Sequence, residues 1–132
     1  MAVTVKASLG KEKYYTEVVA GENTLITDEP VDKGGRNKGF NPFEILATSL
    51  ASCTAATLRM YVDRKEWEIE TINVEVELEN FPLTKRAIFK RNITFEGTAL
   101  DGEQIKRLRN IADACPIHKI LTNDIEILTK FS

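Results

Sequence analysis

Residues 41–64 read NPFEILATSLASCTAATLRMYVDR, and this stretch decides the fold. Asn41-Pro42 is a helix start: Asn supplies an N-cap oxygen and Pro fits the first helical position. Glu44 adds negative charge to the first turn, where the helix dipole favours it by about 0.3–1 kcal/mol. The pattern predicts a helix from Pro42 to about Arg64. Its apolar residues Phe43, Ile45, Leu46, Leu50, Leu58, Met60 and Val62 lie around most of the circumference, with Ala, Ser and Thr between them. A helix apolar on most sides is buried on most sides. In a chain of 132 residues one domain cannot easily surround such a helix, so the stretch points to an obligate dimer. The charge-free run Ile45–Leu58 is fourteen residues and carries five hydroxyls. A bilayer span needs roughly 20 apolar residues, so no membrane segment is expected.

Working outward, the segment before this helix reads as strands. Val3, Val5, Ala7 and Leu9 alternate with polar residues, which is strand period. Lys13–Val19 and Thr24–Thr27 are expected to be the second and third strands, separated by turns at Gly10 and Gly21. Residues 28–42, DEPVDKGGRNKGFNP, hold three glycines, two prolines and six charged side chains. That is a loop long enough to be functional or mobile. After the helix, residues 69–79 alternate Ile72, Val74, Val76 and Leu78 with polar residues. A turn at 80–85 and a strand at 87–96 follow. In that strand Arg91 falls on the same face as Phe89, Ile93 and Phe95. Asp101 with Gln104 forms a capping box for a helix from Gly102 to about Ala114. Pro116 ends that helix at Cys115 and opens a short one to Leu121. Residues 125–131 read as a last strand. The order β-β-β-α-β-β-α-α-β, with strands in consecutive runs, predicts an α+β fold with antiparallel sheet, one domain over 1–132.

Composition narrows the function. Eighteen Lys and Arg against twenty Asp and Glu give a net charge of -2, which argues against a nucleic-acid binder. The start, MAVTVKASLGK, lacks the layout of a signal peptide, so a cytoplasmic protein is expected. There is no GxGxxG fingerprint, and GGRNKG lacks the Ser or Thr of a P-loop. No Gly-x-Ser-x-Gly elbow supports a hydrolase. Two cysteines and one histidine make a metal site improbable, and neither metal nor cofactor is expected.

The cysteines are the chemistry-bearing residues. On position alone Cys53 reads as a small buried hydrophobe. Cys115, in Cys115-Pro116-Ile117-His118, sits where a helix opens, and its N–H groups and dipole favour thiolate. His118 is within one turn, and a plain surface role fits it equally well. The residues alone leave two readings open: two reduced buried thiols, or a working pair 62 positions apart.

Gly39-Phe40-Asn41-Pro42-Phe43-Glu44-Ile45-Leu46-Ala47, then Ala51-Ser52-Cys53, then Ala114-Cys115-Pro116-Ile117-His118-Lys119, resemble the signature of the OsmC/Ohr family, the osmotically inducible and organic hydroperoxide resistance proteins. The order of elements matches over essentially the whole chain. The resemblance implies an intertwined homodimer, with sheets from both chains wrapped around two long central helices. It implies a thiol peroxidase in which Cys53 is the peroxidatic thiol, Cys115 resolves its sulfenic acid to a disulfide, and an external dithiol reduces that disulfide. It also implies an arginine and a glutamate that hold the peroxidatic thiolate.

Those two positions depart from the family pattern. The early strands carry no arginine, so Arg36 in the loop is the preferred candidate and Arg91 the other. A solvated loop charge and an edge-strand charge reaching water are their plain readings. The glutamate stands at Glu44, one position later than in many reductases. Nine residues of helix put it about 13 Å from Cys53 and on the opposite side, so it can act only across a dimer or through a break near residue 48. Phe40, Phe43 and Leu46 would give an apolar mouth suited to organic hydroperoxides. A non-catalytic binder of a small apolar ligand in the dimer cleft, and a thiol redox sensor, are the alternatives.

Overall fold

The computed structural model describes residues 2–132, in two compact units divided between Leu46 and Ala47. The first unit holds an antiparallel sheet of β1 (Lys6–Leu9), β2 (Thr16–Ala20) and β3 (Asn23–Thr27), in that order. Lys6 pairs with Val19, and Ala20 with Asn23 across a two-residue turn. Gly21 supplies the positive φ of +61° that the first position of such a turn demands. β1 and β2 start three residues later than their alternating patterns suggest, because Val3 and Val5 find no partner in this sheet and stay exposed.

The loop after β3 is built around Asp28. Its carboxylate is buried and accepts backbone N–H bonds from Tyr14 (3.1 Å), Glu29 (2.8 Å), Arg36 (3.3 Å) and Lys38 (3.2 Å). Burial pushes this acid up, but the four donors outweigh burial and hold it below the ordinary carboxylate value. Gly35 is required here, since a Cβ would run into the Glu29 carbonyl and the Asp28 carboxylate. A single turn of 3₁₀ helix, Val31–Lys33, completes the loop.

α1 (Pro42–Arg64) starts and ends where its sequence predicts, and runs without the break considered near residue 48. Asn41 Oδ1 accepts from the Glu44 N–H (2.9 Å) and Glu44 Oε1 accepts from the Asn41 N–H (2.9 Å), a reciprocal capping box. By length and mean hydropathy α1 would suffice to cross a bilayer. It does what a core helix does: Leu50, Thr54, Leu58, Tyr61 and Val62 form one buried stripe at helical spacing.

In the second unit β4 (Thr71–Phe81) and β5 (Arg86–Glu96) make a long hairpin, paired from Thr71–Glu96 to Phe81–Arg86. Lys85, with a positive φ of 55°, closes the turn after Pro82–Thr84. α2 (Gly102–Asp113) carries the expected Asp101/Gln104 capping box, and α3 (Pro116–Thr122) follows with Cys115 as its N-cap. Leu58, Tyr61 and Val62 of α1 pack with Ile69 and with Leu108 and Ala112 of α2, and the inward residues Ile72, Ile93 and Phe95 of the hairpin complete the core. Each such side chain fully buried contributes about 1.5–3 kcal/mol relative to exposure.

The strand expected at 125–131 does not form. The chain after Thr122 has no regular structure, and Ile127, Leu128 and Phe131 are exposed. Alternation describes what a segment can pair as; pairing itself needs a free sheet edge, and this segment takes none within the chain.

Candidate functional site

α1, α2, α3 and β5 meet at the two cysteines. Cys53 lies on α1 and is half-buried; Cys115 is fully buried, and both are reduced. The two thiols lie close enough to influence each other's ionisation. Around Cys115 the donors converge: the backbone N–H groups of His118 and Ile117, the Cys53 thiol, and the Thr54 hydroxyl at 3.8 Å. Burial alone would raise this thiol, yet the donors prevail and bring it below the ordinary cysteine value, the direction expected for a cysteine at a helix opening. Cys53 goes the other way. Burial raises it, the neighbouring Cys115 sulfur raises it further, and bonds from the Ile117 N–H and the Thr57 hydroxyl only partly offset this.

Arg91 of β5 reaches this cluster. Its side chain is only 13% exposed. Nη1 donates to Thr54 Oγ1 (3.0 Å) and to the Ala112 carbonyl (2.9 Å). Nη2 donates to Asp113 Oδ1 (2.9 Å) and meets His118 Nδ1 at 3.2 Å. Arginine has donors only, so Nδ1 of His118 accepts and the ring proton sits on Nε2. Arg91 is therefore no edge charge reaching water. Thr54 was missed by sequence reasoning; its one signal is its place midway in the buried stripe, where the other residues are larger and less polar.

The remaining expected site residues lie in the first unit. Arg36 is exposed, its guanidinium 3.8 Å from Glu12. Glu44 serves the capping box. Phe40, Phe43 and Leu46 are exposed, as an apolar mouth would need and as an uncovered interface would also leave them. Among the described residues, no group of three or more His, Cys, Asp and Glu side chains gathers to hold a metal.

A family model described as OsmC-like protein matches residues 35–130. No curated protein matches the chain. Among solved structures, a protein from Psychrobacter arcticus 273-4 named for osmotic stress induction and a detoxification response is 30% identical, covering 91% of this chain and 88% of its own, with a TM-score of 0.79. An OsmC-like protein from Mycoplasma pneumoniae is 19% identical over 92% of this chain and 87% of its own, at a TM-score of 0.71. The organic hydroperoxide resistance protein OhrB of Bacillus subtilis is 21% identical over 94% of this chain and 93% of its own, at 0.62. The last two likenesses speak for the α+β fold.

Proposed function

The chain belongs to the OsmC-like family, and from that premise we propose that it reduces organic hydroperoxides with its two cysteines. The observation that carries the proposal is the meeting of the two cysteines, the Cys115 sulfur lying 3.8 Å from the hydroxyl of Thr54, the neighbour of Cys53 in the chain, with the more accessible sulfur on the long helix. The Cys53 sulfur attacks the peroxide, forming an S–O bond as the O–O bond breaks. The alkoxide leaves and takes a proton, giving the alcohol and a Cys53 sulfenic acid. Cys115 attacks that sulfur, the S–S bond forms, and hydroxide leaves as water. An external dithiol then reduces the disulfide. The structural neighbour OhrB is named for organic hydroperoxide resistance, which supports this reaction and an oxidative stress role.

The proposal includes a homodimer in the cytoplasm, where thiols stay reduced. Residues 1–132 act in it as one domain completed by a second copy. Met60 on α1 and the apolar residues of 125–131 are exposed in the single chain, and a second copy would cover them. Arg36 and Glu44 are assigned to hold the thiolate, Glu44 from the second chain because α1 is unbroken. Phe40, Phe43 and Leu46 are assigned to the peroxide's apolar part. A non-catalytic ligand binder would need no paired thiols.

A thiol count tests the proposal. The reduced protein receives one equivalent of an organic hydroperoxide without oxygen and is quenched within seconds. Both thiols should disappear in the wild type, and sulfenic acid should be trapped only in Cys115→Ser. Survival of both thiols through minutes of excess peroxide overturns the reading.

A further inference from the structure

Only Ala114 and Cys115 separate α2 from α3, so Cys115 lies in the corner where the chain turns from one helix into the next. The corner's own bonds are few. The Cys115 N–H donates to the Ala112 carbonyl at 3.3 Å, and the Lys119 N–H donates to the Cys115 carbonyl at 3.1 Å. α2 has no basic residue in its last turn to meet its final carbonyls. α3 is seven residues long, and none of its residues is fully buried. A helix that short is marginal unless something else holds it.

Arg91 supplies the hold. It stands on an eleven-residue strand, opposite Val76 in the long hairpin. Its Nη1 donates to the Ala112 carbonyl at the end of α2 and to the Thr54 hydroxyl, next to Cys53 on α1. Its Nη2 donates to His118 Nδ1 in the first turn of α3. The ion pair with Asp113 adds little, because that carboxylate is 62% exposed. A planar guanidinium fixes several directions at once, which an ammonium cannot do. One side chain thus grips the helix before Cys115, the helix after it and the helix that carries Cys53. We propose that Arg91 is a positioning residue for disulfide formation: it locks the α2–α3 corner, through His118 on the α3 side, so that the Cys115 sulfur stays within reach of Cys53. This rests on the reading of the two cysteines as a working pair and deepens it by assigning the residue that serves its second step.

The lock matters because the Cys53 sulfenic acid has two fates. When the Cys115 sulfur attacks, the S–S bond forms, the S–O bond breaks, and hydroxide leaves as water with the thiol's proton. When a second hydroperoxide arrives first, its O–O bond breaks, an oxygen passes to sulfur, and an alcohol and a sulfinic acid result, which thiols do not reverse. A disulfide can form only while the two Cα atoms lie within about 7 Å. Time that the corner spends undocked is time given to the second oxidation.

Two readouts on the full chain test this. The first needs no peroxide: the equilibrium between the two thiols and their disulfide in glutathione buffers gives the effective concentration of one sulfur at the other. His118→Leu should lower it about tenfold, the effect of one hydrogen bond to a charged group. His118→Asn keeps an acceptor oxygen near the place of Nδ1 and should recover most of that loss. Arg91→Lys, with the charge but not the fork, should fall between them. The second readout is the share of Cys53 that ends as sulfinic acid rather than disulfide in excess organic hydroperoxide, measured by mass. That share depends on the competition between the two fates and not on how fast the sulfenic acid forms. It should rise in His118→Leu towards the level of Cys115→Ser and stay low in His118→Asn. A merely structural Arg91 would lower the Tm of these variants and move neither readout. Should Arg91→Met fail to fold, the His118 variants decide. The proposal is overturned if His118→Leu leaves both readouts unmoved or favours the disulfide, or if His118→Asn falls as far as His118→Leu. Failure of the peroxidase reading looks different: both thiols then survive hydroperoxide in every variant, while the glutathione equilibrium still separates His118→Leu from His118→Asn.

Discussion

Asp28 in the first unit and Cys115 in the second are both buried acids held by backbone N–H groups, and both are shifted towards the anion. The physics is shared: burial penalises the charge, and converging donors reverse the penalty. The partners differ. All four donors to Asp28 are backbone groups of residues 14–38, so its charge can only hold a loop together. Cys115 has a second thiol beside it, a group that can exchange a proton with it and be oxidised against it. A buried acid becomes a reactive site when one of its partners can itself change state.

The comparison breaks most visibly in activity. Cys115→Ser should leave a folded protein that consumes one peroxide per Cys53 and then stalls, a loss of steady-state turnover of several orders of magnitude. Asp28→Asn should loosen residues 28–38, read as faster proteolysis of that loop, and should still form the Cys53–Cys115 disulfide on one equivalent of peroxide. Proteolysis of the loop unchanged in Asp28→Asn would remove Asp28 from its half of the comparison.

The two acids should also separate on the pH axis. An acid whose folded value lies below its unfolded value stabilises above the unfolded value, and the stability is lost as pH falls through the folded one. For Asp28 the unfolded value is about 3.9, so its contribution disappears in acid. For Cys115 it is about 8.5, so stability should rise with pH between the folded value and there. Cys53 is raised, so its contribution is present below about 8.5 and lost as pH climbs through its folded value, opposing Cys115 on the alkaline side. Tm measured from pH 3 to 10 should lose its acid limb in Asp28→Asn only. The limb below about pH 8.5 should be lost in Cys115→Ser only. Identical profiles would sink the comparison.

The sequence discloses this molecule unevenly, and distance along the chain is the reason. α1 and the capping box of α2 are legible because Asn41-Pro42 and Asp101…Gln104 act within three residues. The lowered Cys115 is legible because Pro116 sits next to it and its N–H donors are two and three residues on. Asp28 is not: in DEPVDKGG it reads as one more solvated charge, and its burial depends on Tyr14 and Lys38. Arg91 shows its inward face by period, but its acceptors lie 37, 21, 22 and 27 residues away. The segment 125–131 carries a strand's pattern without a strand, since the pattern says nothing of which edge receives it.

Glu44 offers the smallest and sharpest test, because its structural and chemical roles predict different numbers. In the capping box it accepts the Asn41 N–H while Asn41 accepts the Glu44 N–H. Glu44→Gln keeps an acceptor oxygen and removes only the charge, so stability should fall by about 0.3–1 kcal/mol, the helix-dipole contribution. Asn41→Ala should cost about 1 kcal/mol through loss of the cap itself. Neither change alters the thiols, so a Glu44 that only caps leaves the peroxide rate at Cys53 within a factor of two. A Glu44 that holds the thiolate from a second chain loses that rate tenfold or more in Glu44→Gln, with the Asn41→Ala rate unchanged. Equal rate losses in both variants would mean that α1's first turn matters to the site as a piece of structure, and that its carboxylate does not.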